Sequence, residues 1–195
     1  MFEQFKRVLQ TEKIRWEDYK KCFRRSEVPA RTVLLSEGEV PKKMFFIEKG
    51  CARVWFNKNG KEITCQFFFE NETVGSIESF RKKVPSRITI ETVEPCVLWT
   101  IAKKDFDRMT EEIKGIPHLR DQFIDSIFER TFDYMNYFFS SIKDSPQERY
   151  MNLIKERPEI VKRVPQHYIA SYLGISSVHL SRIKSKLAKS GAAGI

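Results

Sequence analysis

The chain has 195 residues and is strongly basic, because 35 Lys and Arg outnumber 26 Asp and Glu and give a net charge of +9. This balance favours a polyanionic partner, either nucleic acid or an anionic membrane surface. Apolar residues make up 41% of the sequence, enough to form two compact units. No apolar run is as long as a membrane span, and the N-terminus does not have the pattern of a signal peptide. We therefore expect a cytoplasmic protein without membrane contact.

The sequence offers no sign of metal or catalytic chemistry. Its cysteines lie far apart, at Cys22, Cys51, Cys65 and Cys96, and form no C-x-x-C pair. This spacing argues against a zinc ribbon or a disulfide framework. No nucleophile elbow, phosphate-binding loop or H-E-x-x-H motif is present. We therefore predict no enzymatic activity and no metal site.

In chain order, the first predicted element is an amphipathic helical stretch from Phe2 to Phe23. From Val33 the pattern changes to short runs rich in Val, Ile, Phe and Thr, separated by turn residues. Asn59-Gly60 is the strongest hairpin signal, because both residues tolerate positive φ. Evenly spaced short strands of this kind predict a β-barrel or jelly roll. The predicted strand runs are VLL, MFFIEKG, ARVWF, EITCQFFF, RITIETV and CVLWTI.

A long amphipathic helix is predicted from Pro117 to Lys143. Its length of about 40 Å exceeds what one small roll can cover, and its apolar side chains repeat to the far end. The same helix of a second subunit, related by a two-fold axis, is the economical partner. The dimer interface is expected to contain Ile124, Phe128, Phe132, Met135, Phe139 and Ile142.

A capping box marks the next boundary. Ser145 and Glu148 have the spacing of the box, and Pro146 occupies the first helical position between them. A new helix is therefore predicted after a hinge at residues 143–146, and Arg157-Pro158 should end it.

The stretch from Val164 to Lys189 has the layout of a helix-turn-helix. Gly174 should end its first helix, and Ser176 or Ser177 should cap its second. From Val161 onward the chain has no Asp or Glu but six Lys or Arg, which suits DNA. A plain helical hairpin with a polar outer face is the alternative. The first helix should bury Ile169, Ala170 and Leu173, and the second Leu180, Ile183 and Leu187.

The segment from Ile169 to Leu187 (IASYLGISSVHLSRIKSKL) is similar to the DNA-binding end of the Crp/Fnr family of bacterial transcription regulators. The resemblance extends upstream through most of the chain and implies an α+β architecture. An N-terminal double-stranded, jelly-roll-like β-roll should form a cyclic-nucleotide-binding-like sensor domain over residues 1–116. A dimerisation helix should follow over residues 117–143, and a three-helix DNA-binding domain over residues 144–195.

The resemblance also implies which side chains of the second helix read bases, namely Ser177, Val178 and Arg182. Arg182 is the candidate for a bidentate contact with guanine, and Val178 could touch a thymine methyl group. Phosphate contacts are expected from Gln166, His167, Ser176, His179, Ser181 and Lys184.

The resemblance places an effector pocket in the β-roll, but the pocket is degenerate in this sequence. Relatives that bind a nucleotide hold it with a glycine-glutamate pair and an arginine-serine pair, whereas this chain has Gly75-Ser76 and Ser86-Arg87. Arg87 should point away if Ser86 points in, because neighbours on a strand face opposite ways. On the long helix, bulky Tyr134 and Met135 stand where small hydroxyl residues are expected.

We therefore expect no cofactor and no ordinary cyclic AMP binding, and the sequence favours the absence of a small ligand over an unknown small effector. Some relatives hold an iron–sulfur cluster through N-terminal cysteines, and others hold haem. Neither is expected, because only Cys22 is near the start and the histidines lie in the C-terminal part.

The predicted function is that of a homodimeric transcription regulator that binds a roughly palindromic operator in double-stranded DNA and presents a surface to RNA polymerase. The alternative is a ligand-sensing or protein-docking β-roll whose main output is protein binding.

Overall fold

The computed structural model describes residues 19–190. Most of the N-terminal helix that we predicted, up to residue 18, lies outside these residues. Residues 19 and 20 are helical as expected, but the helix ends there, because residues 21 and 22 form a turn and the first strand begins at Phe23. The reason is packing: the Phe23 ring is buried against Phe46, with ring centroids 5.7 Å apart, so this residue belongs to the core of the sheet.

In residues 19–190, eight strands form two antiparallel sheets. One sheet has the order β1-β8-β3-β6 and the other the order β2-β7-β4-β5. Every run predicted as a strand overlaps one of them, whereas β1 and the two-residue β6 were not predicted. The strands are β1 (Phe23–Val28), β2 (Val33–Leu35), β3 (Lys43–Lys49), β4 (Ala52–Lys58), β5 (Lys61–Phe68), β6 (Thr73–Val74), β7 (Thr89–Thr92) and β8 (Cys96–Ala102).

Besides the helical residues 19 and 20, seven helices lie in the described part of the chain, and the last six of them follow β8. The α+β class predicted from the sequence is confirmed. The helices are α1 (Ile77–Lys82), α2 (Lys103–Lys114), α3 (Pro117–Lys143), α4 (Pro146–Glu156), α5 (Pro158–Arg163), α6 (Gln166–Tyr172) and α7 (Ser177–Lys189).

Within the described residues, four helices follow α3, and not the expected three. The extra helix is α5, in a stretch for which we predicted no element. Pro158 opens it, since proline fits a first helical turn, and Ile160 is fully buried. Two apolar positions in six residues are too few for a helical period to be recognised in the sequence.

Residue contacts divide the described chain into two compact units. The first comprises residues 19–56 and 66–127, and the second comprises residues 57–65 and 128–190. The division falls within α3 and assigns the end of the β4–β5 hairpin to the second unit. At that end, Asn59 and Gly60 have φ of 53° and 81°, which confirms the hairpin signal.

The first unit contains a buried ion pair that the sequence did not reveal. Arg53 on β4 lies directly opposite Glu91 on β7. The Nη2 and Nε atoms of Arg53 donate to Oε2 of Glu91 at 2.7 and 3.0 Å, and the two side chains are only 2% and 11% exposed. A charge-assisted pair of this geometry satisfies two groups that would otherwise be costly to bury.

Candidate nucleic-acid interface

The first helix of the predicted helix-turn-helix is α6. Its apolar face is buried as expected, with Ile169 and Ala170 2% and 1% exposed. The chain then turns at Gly174, which has φ of +67°. An added Cβ there would meet nothing within 4 Å, so only the left-handed backbone requires glycine at this position.

The second helix, α7, begins at a capped N-terminus. Ser176 is the N-cap, and its Oγ accepts a hydrogen bond from the backbone N–H of His179 at 3.1 Å. This decides between the two serines that the sequence offered. The inward face of the helix is apolar and almost fully buried, and it consists of Leu180, Ile183 and Leu187.

The three predicted base-reading residues lie together on the exposed side of α7. Ser177 and Val178 occupy its first turn, and Arg182 follows one turn later. The apolar side chain of Val178 is 61% exposed. Within residues 19–190 the Arg182 guanidinium has neither a hydrogen-bond nor an ion-pair partner, so its five donors are available to a ligand.

The predicted phosphate contacts occupy two neighbouring helix starts. At α6 Gln166 and His167 are exposed, and the ring centroid of His167 lies 4.0 Å from that of Tyr168. At α7, Ser176, His179 and Ser181 are exposed, whereas Lys184 is half-buried. The Ser176 hydroxyl accepts the cap bond and still has its proton to donate.

The turn of the helix-turn-helix is held from outside by contacts that sequence reasoning missed. Ser171, near the end of α6, bonds to the backbone of β5: its Oγ accepts from the Thr64 N–H at 3.0 Å and donates to the Glu62 carbonyl at 2.8 Å. No local pattern could reveal this contact, because 107 residues separate Ser171 from Thr64.

A second anchor lies beside it. The Tyr137 hydroxyl of α3 donates to the backbone carbonyl of Tyr172 at 3.0 Å, and the two rings stack with centroids 4.9 Å apart. This carbonyl is one of the helix-terminal acceptors that α6 cannot satisfy internally. Burial raises the pKa of both phenols, most strongly that of Tyr172, so both remain neutral hydrogen-bond donors.

The apolar arc of α3 is exposed in the single chain. Leu119 is the buried residue of this helix, whereas Phe128 and Phe132 are 54% and 51% exposed and stack with centroids 6.2 Å apart. The other residues predicted for the dimer interface are also exposed: Ile124, Met135, Phe139 and Ile142.

The predicted capping box follows α3. Glu148 N–H donates to Ser145 Oγ at 3.3 Å, and Ser145 N–H donates to the Glu148 carboxylate at 2.8 Å. Pro146 is the first residue of α4, as expected. Hydrogen bonds from Ser145 hold the pKa of the Glu148 carboxyl below its ordinary value.

In the segment predicted to contact an effector, both serines bond internally. Ser76 Oγ donates to Ser79 Oγ at 2.9 Å. Ser86, which is 3% exposed, donates from its Oγ to the Ile88 carbonyl at 2.7 Å. Arg87 is exposed.

The cation of Arg87 acts on the outer surface. Together with the hydrogen-bonded Lys82, which has the larger effect, it lowers the pKa of the exposed Glu78. The carboxylate and the two guanidiniums within residues 75–87, those of Glu78, Arg81 and Arg87, all belong to exposed residues.

The remaining predicted pocket positions are constrained differently. A Cβ added to Gly75 would lie 2.6 Å from Met44 Sδ, so the flexible Met44 side chain would have to move to admit any other residue. Tyr134 and Met135 on α3 are 49% and 46% exposed.

In the described residues, no helix is long and apolar enough to cross a membrane.

The sequence profile of the cyclic nucleotide-binding domain matches residues 25–112. A comparison with curated protein sequences gives no match.

Solved structures share the fold over most of the chain. FixK2 from Bradyrhizobium japonicum has a TM-score of 0.71 at 12% identity, with 89% of this chain and 88% of FixK2 covered. The c-di-GMP responsive global regulator CLP from Xanthomonas campestris has a TM-score of 0.70 at 18% identity, with 90% and 91% covered. A transcriptional regulator of the crp/fnr family from Eubacterium rectale has a TM-score of 0.70 at 16% identity, with 90% and 83% covered.

At these identities the likeness concerns the fold. The domain match and the shared architecture confirm the resemblance to the Crp/Fnr family that the sequence suggested.

Proposed function

We propose that this chain is a homodimeric, sequence-specific DNA-binding transcription regulator of the Crp/Fnr type. The observation that carries the proposal is the outer face of α7, where Arg182 stands exposed without a partner in the described chain. The segment from Val161 onward, which includes Arg182, has six Lys or Arg and no Asp or Glu. A surface of this kind attracts phosphate and leaves a forked donor free for a base edge.

The helical geometry supports entry of α7 into a major groove. The helix has 13 residues, is about 20 Å long, and buries only one of its faces. A major groove about 12 Å wide admits such a helix, with the residues near its N-terminus facing the base edges. Ser177, Val178 and Arg182 are the side chains that would meet them.

The exposed phenylalanines of α3 support homodimerisation. The exposed apolar face extends along the helix from Ile124 to Ile142, and such a contiguous apolar surface is uncommon on a monomer. Two copies related by a two-fold axis would cover both faces with the same residues and would present two α7 helices to half-sites about one helical turn apart. The operator should therefore be roughly palindromic.

We assign the three parts of the chain accordingly: residues 1–116 to a sensor domain, 117–143 to dimerisation and 144–195 to DNA binding. The sensor would not bind cyclic AMP in the usual way, because Ser76 and Ser86 stand where the anchoring carboxylate and guanidinium are expected. A contact with RNA polymerase would convert DNA binding into regulation. CLP and the Eubacterium rectale protein are regulators, and by this analogy we propose no catalytic activity.

The test is selection of bound duplexes from a random pool, with and without a panel of cyclic nucleotides. We expect enrichment of a two-fold symmetric motif whose half-sites lie one helical turn apart, with no change when cyclic AMP is added. If no motif is enriched and the protein retains all duplexes equally, the chain is not a sequence-specific regulator. Enrichment that depends on cyclic AMP would contradict the degenerate pocket.

A further inference from the structure

The contact between Ser171 and β5 has the geometry of a strand partner. In the described part of the chain, β5 lies at the edge of its sheet, with β4 on one side only. Residues 62 and 64 are two apart on an extended strand, so their backbone groups point to the same side. The Ser171 hydroxyl meets both of them, accepting from Thr64 N–H at 3.0 Å and donating to the Glu62 carbonyl at 2.8 Å.

This one hydroxyl uses its single proton and one lone pair in the same contact. Thr64 is 2% exposed, so water could not replace the Ser171 hydroxyl as the acceptor of its N–H group. An edge strand also needs its free backbone groups covered. The contact is therefore specific to a hydroxyl at position 171 and cannot be replaced by apolar packing.

We propose that Ser171 is a positioning residue of the DNA-binding site, which rests on the proposed function of α7 as a base reader. Its hydroxyl holds the end of α6 to the β4–β5 hairpin. Only Leu173, Gly174 and Ile175 separate α6 from the cap of α7, so fixing the end of α6 also fixes the direction of the recognition helix. Tyr137, which donates to the carbonyl of Tyr172, holds the same end from α3.

The consequence for recognition is a difference between specific and non-specific binding. A bidentate contact to a base requires α7 in one orientation, whereas cations bind phosphates from many orientations. If α6 were released from β5, the entropy cost of ordering it on an operator would weaken specific binding. Non-specific binding would be unaffected, because the charges available to phosphate would be unchanged.

The first measurement is amide hydrogen exchange of residues 57–65 in the full chain. Ser171→Ala should increase the exchange rate of the Thr64 amide by about tenfold or more, because its acceptor is gone. Ser171→Thr keeps the hydroxyl and should retain most of the protection. Ser126→Ala is the matched control, because the Ser126 hydroxyl donates only to the Phe123 carbonyl of its own helix.

The second measurement is the affinity of the same variants for a selected operator and for a scrambled duplex. Ser171→Ala should weaken operator binding by about five- to twentyfold, the effect of one or two hydrogen bonds, and leave the scrambled duplex and the salt dependence unchanged. Ser171→Thr should restore operator binding to within about threefold of the wild type.

Two results would overturn the proposal. Unchanged exchange of Thr64 in Ser171→Ala would mean that the hydroxyl does not hold α6. Faster exchange with an unchanged ratio of operator to scrambled binding would mean that Ser171 only stabilises the fold. A wild-type protein that binds both duplexes equally would instead contradict the proposed function, and the exchange of Thr64 would still decide whether the hydroxyl anchors the helix.

Discussion

Arg182 is the side chain on which base discrimination should depend. It is exposed, unpaired within the described chain, and one turn beyond Ser177 and Val178 on the same face of α7. Lys184, two residues further, is half-buried on a different side of the helix. A guanidinium can make two parallel hydrogen bonds to guanine, whereas an ammonium acts on phosphate as a point charge.

We therefore expect Arg182→Ala and Lys184→Ala to fail in different ways. Arg182→Ala should cost about 1–3 kcal/mol of discrimination at one base pair of each half-site, which binding to single-base variants of the operator would measure. Lys184→Ala should weaken binding to all duplexes alike and make the salt dependence shallower. If Arg182→Ala lowered the affinity for all duplexes equally and left every base preference intact, Arg182 would not be a base-reading residue.

A second residue-scale prediction concerns the buried pair of Arg53 and Glu91. Arg53→Ala should lower the free energy of unfolding by about 3–5 kcal/mol, because the carboxylate of Glu91 is left almost buried without its cation. Replacing both residues by Met and Leu, respectively, should recover most of the loss. Urea denaturation of the three proteins measures this, and a cost below about 1 kcal/mol for Arg53→Ala would show that the pair is not needed for stability.

At the scale of helices and strands, local signals were read correctly and distant contacts were not. Three local features were predicted correctly: the capping box at Ser145, the turn at Gly174 and the hairpin at Asn59-Gly60. Each depends on a few adjacent residues, whose side chains determine the local φ angles or hydrogen bonds. The strand β1 and the anchor at Ser171 depend on partners far away in the chain, whereas α5 has too few apolar positions to show a helical period. Such contacts leave no periodicity, so the sequence could not reveal them.

The candidate site divides in the same way. The helical period of Leu180, Ile183 and Leu187 was enough to predict which side of α7 faces outward. The alternation of side chains along a strand predicted only that Ser86 and Arg87 point to opposite sides. It could not predict that the Ser86 hydroxyl donates to the Ile88 carbonyl. The pairing of Arg53 with Glu91 needed the register between β4 and β7, which composition does not encode.

The capping box gives an element-scale prediction with a defined pH dependence. The folded-state pKa of Glu148 lies below its ordinary value of 4.5, so its ionised form stabilises the folded state. This contribution is present above the pKa of the unfolded state and is lost as the pH falls through the lowered pKa of the folded state.

Glu148→Gln should therefore have a lower melting temperature than the wild type at neutral pH, and the difference should shrink at pH values below the ordinary pKa. Thermal unfolding followed by circular dichroism at several pH values measures this. Glu129→Gln on the exposed side of α3 is the control. A difference between wild type and Glu148→Gln that stays constant from neutral to acid pH would contradict the role of the carboxylate.

At the scale of the whole molecule, the account requires two chains. The stacked and exposed Phe128 and Phe132 lie midway along α3 and would be the centre of a two-fold interface. Phe132→Asp should produce a monomer, since two carboxylates would be buried against each other across the axis. Asn136→Asp, on the polar arc of the same helix, should remain dimeric. Sedimentation equilibrium distinguishes the two, and a dimeric Phe132→Asp would place the interface elsewhere.

The most direct test of the account is the affinity of the wild-type protein for a selected palindromic duplex and for a scrambled duplex of equal length, measured across a range of salt concentrations. We predict binding to the selected duplex at least about 10³-fold tighter at physiological salt, with affinity for both falling linearly with salt on logarithmic scales. Equal affinity for the two duplexes would contradict the claim that this chain reads DNA sequence.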